Sequence, residues 1–197
     1  SEYTTFTRDW SLEEIHCFMF RRGMIFFDGQ PLKQVFFSRE LAASDGTFWV
    51  EDPGLRIHLR LPNDVEPNGA ALEVTARAQV FAPLEHGLGY IRVSGFRFEH
   101  AADGIPVPQR AMVSAARGHH WIIEDNEIRW ANACGIDVGN ETWHRRHQEL
   151  SEQAGRHIIR RNRISDCGIC GIAAVGNNAH SLVEDNLIER IGSKNIE

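Results

Sequence analysis

The chain has 197 residues, 42% of them apolar, which is enough for a buried core and one or two domains. Its formal net charge at pH 7 is −6 and its longest basic run is two arginines, which argues against nucleic acid as the main partner. No apolar stretch approaches the roughly 18 residues that cross a bilayer, so a membrane partner is not predicted either. Nothing in the sequence identifies the cellular compartment.

The first segment, residues 1–22, is predicted to be a connector or a short helix. Ser11 and Glu14 have the spacing of a capping box, in which each side chain hydrogen-bonds the other residue's backbone at a helix start.

Residues 23–83 predict a small antiparallel β-sandwich module. Asp28-Gly29 lies between two apolar runs and is a strong signal for a β-hairpin. Asp52-Pro-Gly54 repeats this arrangement before a run in which apolar and polar residues alternate. Short strands with one apolar face, joined by tight turns, are typical of sandwiches.

From residue 84 to residue 197 the pattern changes to that of a right-handed parallel β-helix. Three imperfect copies of one unit each contain an apolar β-rich run followed by an asparagine, at Asn126, Asn162 and Asn186. The steps are 36 residues (162 − 126) and 24 residues (186 − 162), a range typical of solenoids. Such coils stack about 4.8 Å apart, so equivalent residues form columns.

The columns predicted for this solenoid have the composition that stacking requires. Ile128, Ile164 and Ile188 supply an apolar inward column, and stacked asparagines hydrogen-bond along their own column. Corners between strands need left-handed backbone, which Asn and Gly tolerate best. Setting Phe98 against Ile128, a step of 30 residues (128 − 98), predicts a further coil that begins near Tyr90.

The long step marks an insertion between Gly139 and Arg156. Long loops on rigid solenoids commonly carry binding residues. Trp143, with two neighbouring histidines, would make a wall for stacking and hydrogen bonding to a carbohydrate. A solvated, partly helical flap is the alternative.

The four cysteines do not resemble a disulfide framework. Cys134 and Cys170 each lie eight residues after the asparagine of their coil, so they should stack as neighbours. Cys167-Gly-Ile-Cys170 lacks the second Cys/His pair of a zinc knuckle. No metal site and no cofactor are predicted.

Asp166 and Glu189 are the best candidates for chemistry. They are 23 residues apart, one short of a coil, so in strict register Glu189 falls beside Ser165 and Asp166 beside Arg190. Because successive strand residues face opposite sides, both carboxylates reach one pocket only if the corner bends there. Two carboxylates about 5 Å apart suit a retaining glycosidase, and close negative charges would raise the pKa of the acid. Surface ladder charges are the alternative.

The sequence also resembles a known family. The runs FFDGQPLKQV, RIHLRLP and GYIRVSGFRFEHAA, followed by the coils up to Gly192, are similar to bacterial β-helix proteins that carry a β-sandwich. The chain resembles glycoside hydrolase family 120, the β-xylosidases. This resemblance implies a hydrolase that acts on β-xylosides or related plant glycans, with a carbohydrate as its partner.

The resemblance also implies roles for residues. Asp166 in ISDCG would be the nucleophile and Glu189 in LIERIG the acid/base, by type, order and spacing. Asp137, one coil earlier, would bind a sugar hydroxyl, and Trp143 is a weaker candidate for the same wall. The corner side chains His100 and Trp130 are also predicted to bind substrate.

The chain is shorter than enzymes of that family, which have more coils on the C-terminal side. A solenoid that ends near Gly192 would expose a strand edge and apolar core residues. We therefore expect it to be completed by further coils of the same protein or by another chain.

Two other functions fit the same scaffold. A non-catalytic glycan-binding β-helix would use Asp166 and Glu189 only as corner charges. A polysaccharide lyase usually needs clustered carboxylates for Ca²⁺ and a basic residue as the general base. The sequence has few lysines and no Asp-x-Asp cluster, so it favours the lyase less.

Overall fold

The computed structural model describes residues 23–51, 56–103, 111–139 and 154–192. The possible helix in residues 1–22 and the insertion residue Trp143 lie outside these ranges. The described part contains one α-helix, of six residues, which is far too short to span a membrane.

The N-terminal part forms two small sheets. Its elements are β1 (Ile25–Phe27), β2 (Gln30–Pro31), β3 (Lys33–Gln34), α1 (Ser38–Ala43), β4 (Thr47–Val50), β5 (Ile57–Arg60) and β6 (Leu72–Val74). The sheet β2-β1-β6 is antiparallel, whereas in β3-β4-β5 the first pair is parallel. The parallel pair departs from the predicted all-antiparallel sandwich, because the chain crosses through α1 between β3 and β4. Ile25, Leu32, Phe48 and Leu61 are the buried core of these sheets.

The hairpin predicted at Asp28-Gly29 is confirmed. Phe27 pairs with Gln30 across the two-residue turn, and φ is 49° at Asp28 and 74° at Gly29. Two consecutive residues with positive φ define the turn whose twist matches that of the flanking strands. The second predicted turn, residues 52–55, lies outside the described ranges, but β4 and β5 on either side of it pair antiparallel.

From Arg92 onward the strands stack in parallel as a β-helix, which confirms the predicted fold class. Three sheets repeat along the axis, at one strand per coil. The first contains β7 (Arg92–Ser94), β10 (Ile122–Glu124), β13 (Ile158–Arg160) and β16 (Leu182–Glu184). The second contains β8 (Arg97–Ala101), β11 (Glu127–Ala131), β14 (Arg163–Ser165) and β17 (Leu187–Glu189). The third contains β9 (Val113–Ser114), β12 (Cys134–Asp137) and β15 (Cys170–Ala173).

The predicted columns stack in register. Ile128 pairs with Phe98 on one side and with Ile164 on the other, and Ile164 pairs with Ile188. Ile128 and Ile164 are fully buried in the core of the helix. Cys134 pairs with Cys170, as the eight-residue offset predicted.

The asparagines hold the coils together, but their backbone is not left-handed, which corrects the sequence-based expectation. The side-chain Oδ1 of Asn126 accepts the N–H of Phe96 at 3.0 Å, and Asn162 accepts the N–H of Asn126 at 3.1 Å. The residues with positive φ are those one position earlier, Asp125 (55°), Arg161 and Asp185. The preceding residue turns the corner, and the asparagine bonds the backbone of the neighbouring coil.

Candidate functional site

Four side chains form one column near the C-terminal ends of the strands of the second sheet. Three of them belong to predicted site residues, and the fourth is the arginine next to the predicted acid/base. His100, Trp130, Asp166 and Arg190 all have left-handed backbone, with φ of 64°, 57°, 56° and 51°. His100 and Trp130 lie near the ends of β8 and β11, and Asp166 and Arg190 directly follow β14 and β17. Each comes one residue after a position paired between coils, so their backbones repeat about every 4.8 Å. We call these four residues the corner column.

The bend that the pairing of Asp166 with Glu189 requires is present. Ser165 pairs with Glu189 as expected, and Asp166 follows Ser165 with φ of 56°. The structure places this bend at Asp166 itself. Left-handed backbone at that position breaks the strict alternation of the strand, and Asp166 and Glu189 both contact Arg190.

Arg190 contacts both candidate carboxylates. Its Nε lies 2.7 Å from Asp166 Oδ1 and its Nη2 lies 2.9 Å from Asp166 Oδ2, so the guanidinium donates two hydrogen bonds to one carboxylate. The Nη1 of the same side chain lies 3.0 Å from Glu189 Oε1. Arg163 Nη2 reaches the same Glu189 oxygen at 2.9 Å. Both carboxylates therefore contact the same guanidinium, that of Arg190, at the outer surface.

The ionisation of both carboxylates is controlled by these arginines. Hydrogen bonding to Arg190 holds the pKa of Asp166 below its usual value. Arg163 and then Arg190 lower the pKa of Glu189. The expectation that neighbouring negative charges raise the pKa of the acid is wrong for this arrangement, because hydrogen bonds from Arg163 and Arg190 lower the pKa of Glu189.

The aromatic members of the column lie one and two coils before Asp166. The ring of Trp130 lies 5.1 Å from that of His100, and the guanidinium of Arg129 lies 4.2 Å from the Trp130 ring centroid. Arg129 also pairs with Glu99. Phe26 of β1 stacks on His100 with ring centroids 4.0 Å apart and lies 5.2 Å from Trp130. The N-terminal sheets thus fix the first side chains of the corner column.

The structure does not bring Asp137 to this corner. Asp137 ends β12 in the third sheet, where it pairs with Ser114 and Ala173. The residue is buried, and its Oδ1 accepts the N–H of Gly139 at 2.8 Å. This bond helps to turn the chain out of β12, a structural use of the carboxylate that the sequence did not indicate.

Two further buried titratable groups support the coils. Burial raises the pKa of Asp103 to about 7, and its Oδ1 accepts the N–H of Ala133 at 3.0 Å, just after β11. Burial lowers the pKa of His157 to about 4, so this imidazole is neutral at pH 7. Within the described ranges, no group of three or more His, Cys, Asp or Glu side chains is placed to hold a metal ion.

Sequence reasoning missed the residues that surround the predicted ones. The 24-residue register already placed Arg190 beside Asp166, but nothing in the sequence indicated that Arg190 also reaches Glu189. The contacts of Phe26 and Glu73 with His100 join parts of the chain that share no repeat. No local signal in the sequence pointed to them.

Comparisons with known proteins agree on the fold. No protein family model matches the chain, and no curated protein is similar to it in sequence. A solved structure, that of XylC in complex with xylose, matches with a TM-score of 0.69 at 23% identity. The match covers 87% of this chain and 35% of that chain, so the present chain spans about a third of the XylC structure. The similarity extends through most of the described residues and shows a common fold.

Proposed function

We propose that this chain carries the catalytic corner of a retaining glycosidase that acts on β-xylosides or related plant glycans, similar to glycoside hydrolase family 120. The proposal rests on one observation. The carboxylates of Asp166 and Glu189, which belong to adjacent coils of the solenoid, contact the same guanidinium. The fold similarity to XylC, whose structure contains xylose, supports a carbohydrate as the ligand.

In this proposal Asp166 is the nucleophile. Its low pKa keeps it ionised, so its carboxylate attacks the anomeric carbon and forms a glycosyl-enzyme. Glu189 protonates the leaving oxygen, and then removes a proton from the water that releases the sugar. Glu189 must be protonated for the first step, which requires that it lose its contacts with Arg163 and Arg190 when substrate binds.

The remaining predicted ligands have unequal support. His100 and Trp130 share the corner column with Asp166 and would form the floor beside the sugar. Asp137 is a weaker ligand, because its carboxylate is buried and bonds Gly139. Trp143 lies outside the described ranges, so its role stays a proposal from the insertion in the sequence and from the resemblance.

A non-catalytic glycan-binding β-helix is the second candidate. The contacts of Arg190 with both carboxylates favour it, because paired and neutralised carboxylates are typical of structural charge ladders. In that case the corner would bind sugar without cleaving it.

Hydrolysis of an aryl β-xyloside by the full-length protein tests the proposal. Asp166→Asn should abolish turnover, and Glu189→Gln should reduce it by about 10²–10⁴-fold for a substrate that needs acid assistance. Asp185→Asn is the matched control, because Asp185, like Asp166, directly follows a strand and has a positive φ. Turnover by Asp166→Asn at the wild-type rate would refute the mechanism, and sugar binding without any turnover would favour the binding module.

A further inference from the structure

Two cysteines lie side by side on adjacent coils of the third sheet. Cys134 in β12 and Cys170 in β15 are paired residues of neighbouring parallel strands, and both thiols are free. Neighbouring strands lie about 4.8 Å apart, and a disulfide needs Cα atoms about 4.4–6.8 Å apart. Stacking of the coils therefore gives this pair a backbone separation that a disulfide can bridge.

The two thiols also contact each other through their side chains. Cys134 Sγ hydrogen-bonds the thiol of Cys170, and it lies 3.2 Å from the carbonyl oxygen of Ile136. Side chains that already share a hydrogen bond point toward one another, which is the second geometric requirement for a disulfide. The pair is therefore arranged for a bond between the two sulfurs without a rearrangement of the coils.

The two thiols differ in access to solvent and in acidity. Cys134 is fully buried, because β12 lies between β9 and β15, whereas Cys170 is partly exposed on β15, the edge strand of this sheet among the described residues. The hydrogen bond from Cys134 lowers the pKa of the Cys170 thiol, and the same bond together with burial raises the pKa of Cys134. Because thiolates react with oxidants and thiols do not, an oxidant reacts first with Cys170.

A third cysteine nearby is not equivalent to these two. Cys167 is fully buried in the core of the β-helix, and burial raises the pKa of its thiol to about 12. Its Sγ lies 3.4 Å from the carbonyl oxygen of Ser165, and no strand pairing in the described coils joins it to another cysteine. Cys167 is therefore a matched control for the reactivity of Cys170.

We propose that Cys134 and Cys170 are an oxidation site, at which a hydroperoxide such as hydrogen peroxide forms a reversible disulfide between adjacent coils. The Cys170 thiolate attacks one peroxide oxygen and breaks the O–O bond, which leaves a sulfenic acid on Cys170 and releases hydroxide. The Cys134 sulfur then attacks the Cys170 sulfur, the S–O bond breaks, and the thiol proton of Cys134 leaves with that hydroxyl group as water. The two sulfurs lose two electrons, and the peroxide gains them.

The disulfide would stabilise the edge of the third sheet. It closes a loop of 36 residues (170 − 134) and joins the edge strand β15 to β12. A crosslink over a loop of this length removes conformational freedom from the unfolded chain, which raises the melting temperature. This inference does not depend on the proposed glycosidase activity, because it uses neither carboxylate of the candidate site.

Mass spectrometry of unreduced peptides tests the assignment on the full-length protein, which is first reduced and then treated with hydrogen peroxide. We expect a crosslinked pair of peptides that joins Cys134 to Cys170, and a Tm raised by about 5–10 °C. Dithiothreitol should reverse both changes. Cys170→Ser should lose the crosslink and the Tm shift, whereas the control Cys167→Ser should keep both.

A second variant tests the order of the two steps. In Cys134→Ser the sulfenic acid on Cys170 has no partner thiol, so dimedone should label Cys170 after peroxide treatment. A crosslink through Cys167 in the wild type, or oxidation of Cys170 to a sulfinic acid without any crosslink, would overturn the proposal. The peptide map of the wild type decides this even if a serine variant fails to fold.

Discussion

At the scale of single residues, the candidate site depends on which cation contacts each carboxylate. Asp166 has two hydrogen bonds from Arg190, which suit a group that acts as an anion. Glu189 is contacted by both Arg163 and Arg190, although its proposed role needs a proton. The balance between these contacts decides whether the corner can perform acid catalysis.

Removing Arg163 should therefore change the pH dependence of the proposed activity. Glu189 must be protonated to act as the acid, so its pKa sets the basic limb of the profile of kcat/KM against pH. Arg163 is the main cause of the low pKa of Glu189, and Arg163→Met should raise that pKa and move the basic limb to higher pH. Rates of aryl β-xyloside hydrolysis between pH 4 and 9 measure the shift.

Arg97→Met is the matched control for this experiment. Arg97 occupies the same strand position two coils earlier and pairs with Glu127 at 2.7 Å instead. An unmoved basic limb in Arg163→Met, or an equal shift in Arg97→Met, would show that Glu189 does not set the limb.

At the scale of elements, the turn between the first and second sheets is held by the asparagine column. Asn126 accepts the N–H of Phe96, and its Nδ2 donates to the carbonyl oxygen of Val93 and to Oδ1 of Asn162 at 3.0 Å each. One side chain thus satisfies backbone groups of the neighbouring coil that are shielded from water. The preceding residue, Asp125, turns the corner.

Asn126→Ala should destabilise the protein by roughly 2–4 kcal/mol, since it leaves several buried polar groups unpaired at about 1–3 kcal/mol each. Asn186→Ala should cost less, because Asn186 lies in a more exposed coil where water replaces the lost bonds. The free energy of unfolding in urea measures both. A loss below about 0.5 kcal/mol in Asn126→Ala would contradict the role of the column.

At the scale of the whole molecule, burial decreases toward the last described coil. In one inward column Ile128 and Ile164 are fully buried, whereas Ile188 is 45% exposed. Leu182, Val183 and Leu187 of that coil are also exposed. That further coils or another chain cover these side chains stays a proposal.

The two ends of the isoleucine column provide a matched pair of variants. Ile128→Ala should lower the free energy of unfolding by about 2–5 kcal/mol, as expected for a truncation in a closed core. Ile188→Ala removes less buried surface and should cost under about 1.5 kcal/mol. Urea denaturation of both variants measures the difference. An equal loss would show that Ile188 is covered in solution.

By itself, the sequence determined the β-helix and its register, because each coil repeats the same requirement for an asparagine and an inward isoleucine. Asn126, Asn162 and Ile128 therefore identified their columns without any tertiary information. The hairpin at Asp28-Gly29 was equally local, since two residues with positive φ specify its turn.

Only the tertiary structure decided what surrounds the candidate carboxylates. Whether Arg190 reaches one carboxylate or two depends on the left-handed bend at Asp166, which shifts side chains between faces and is not specified by residue type. The contacts of Phe26 and Glu73 with His100 join segments more than 20 residues apart that share no periodic pattern. Columns follow from repetition in the sequence, whereas the electrostatics of the corner follow from contacts between non-repeating side chains.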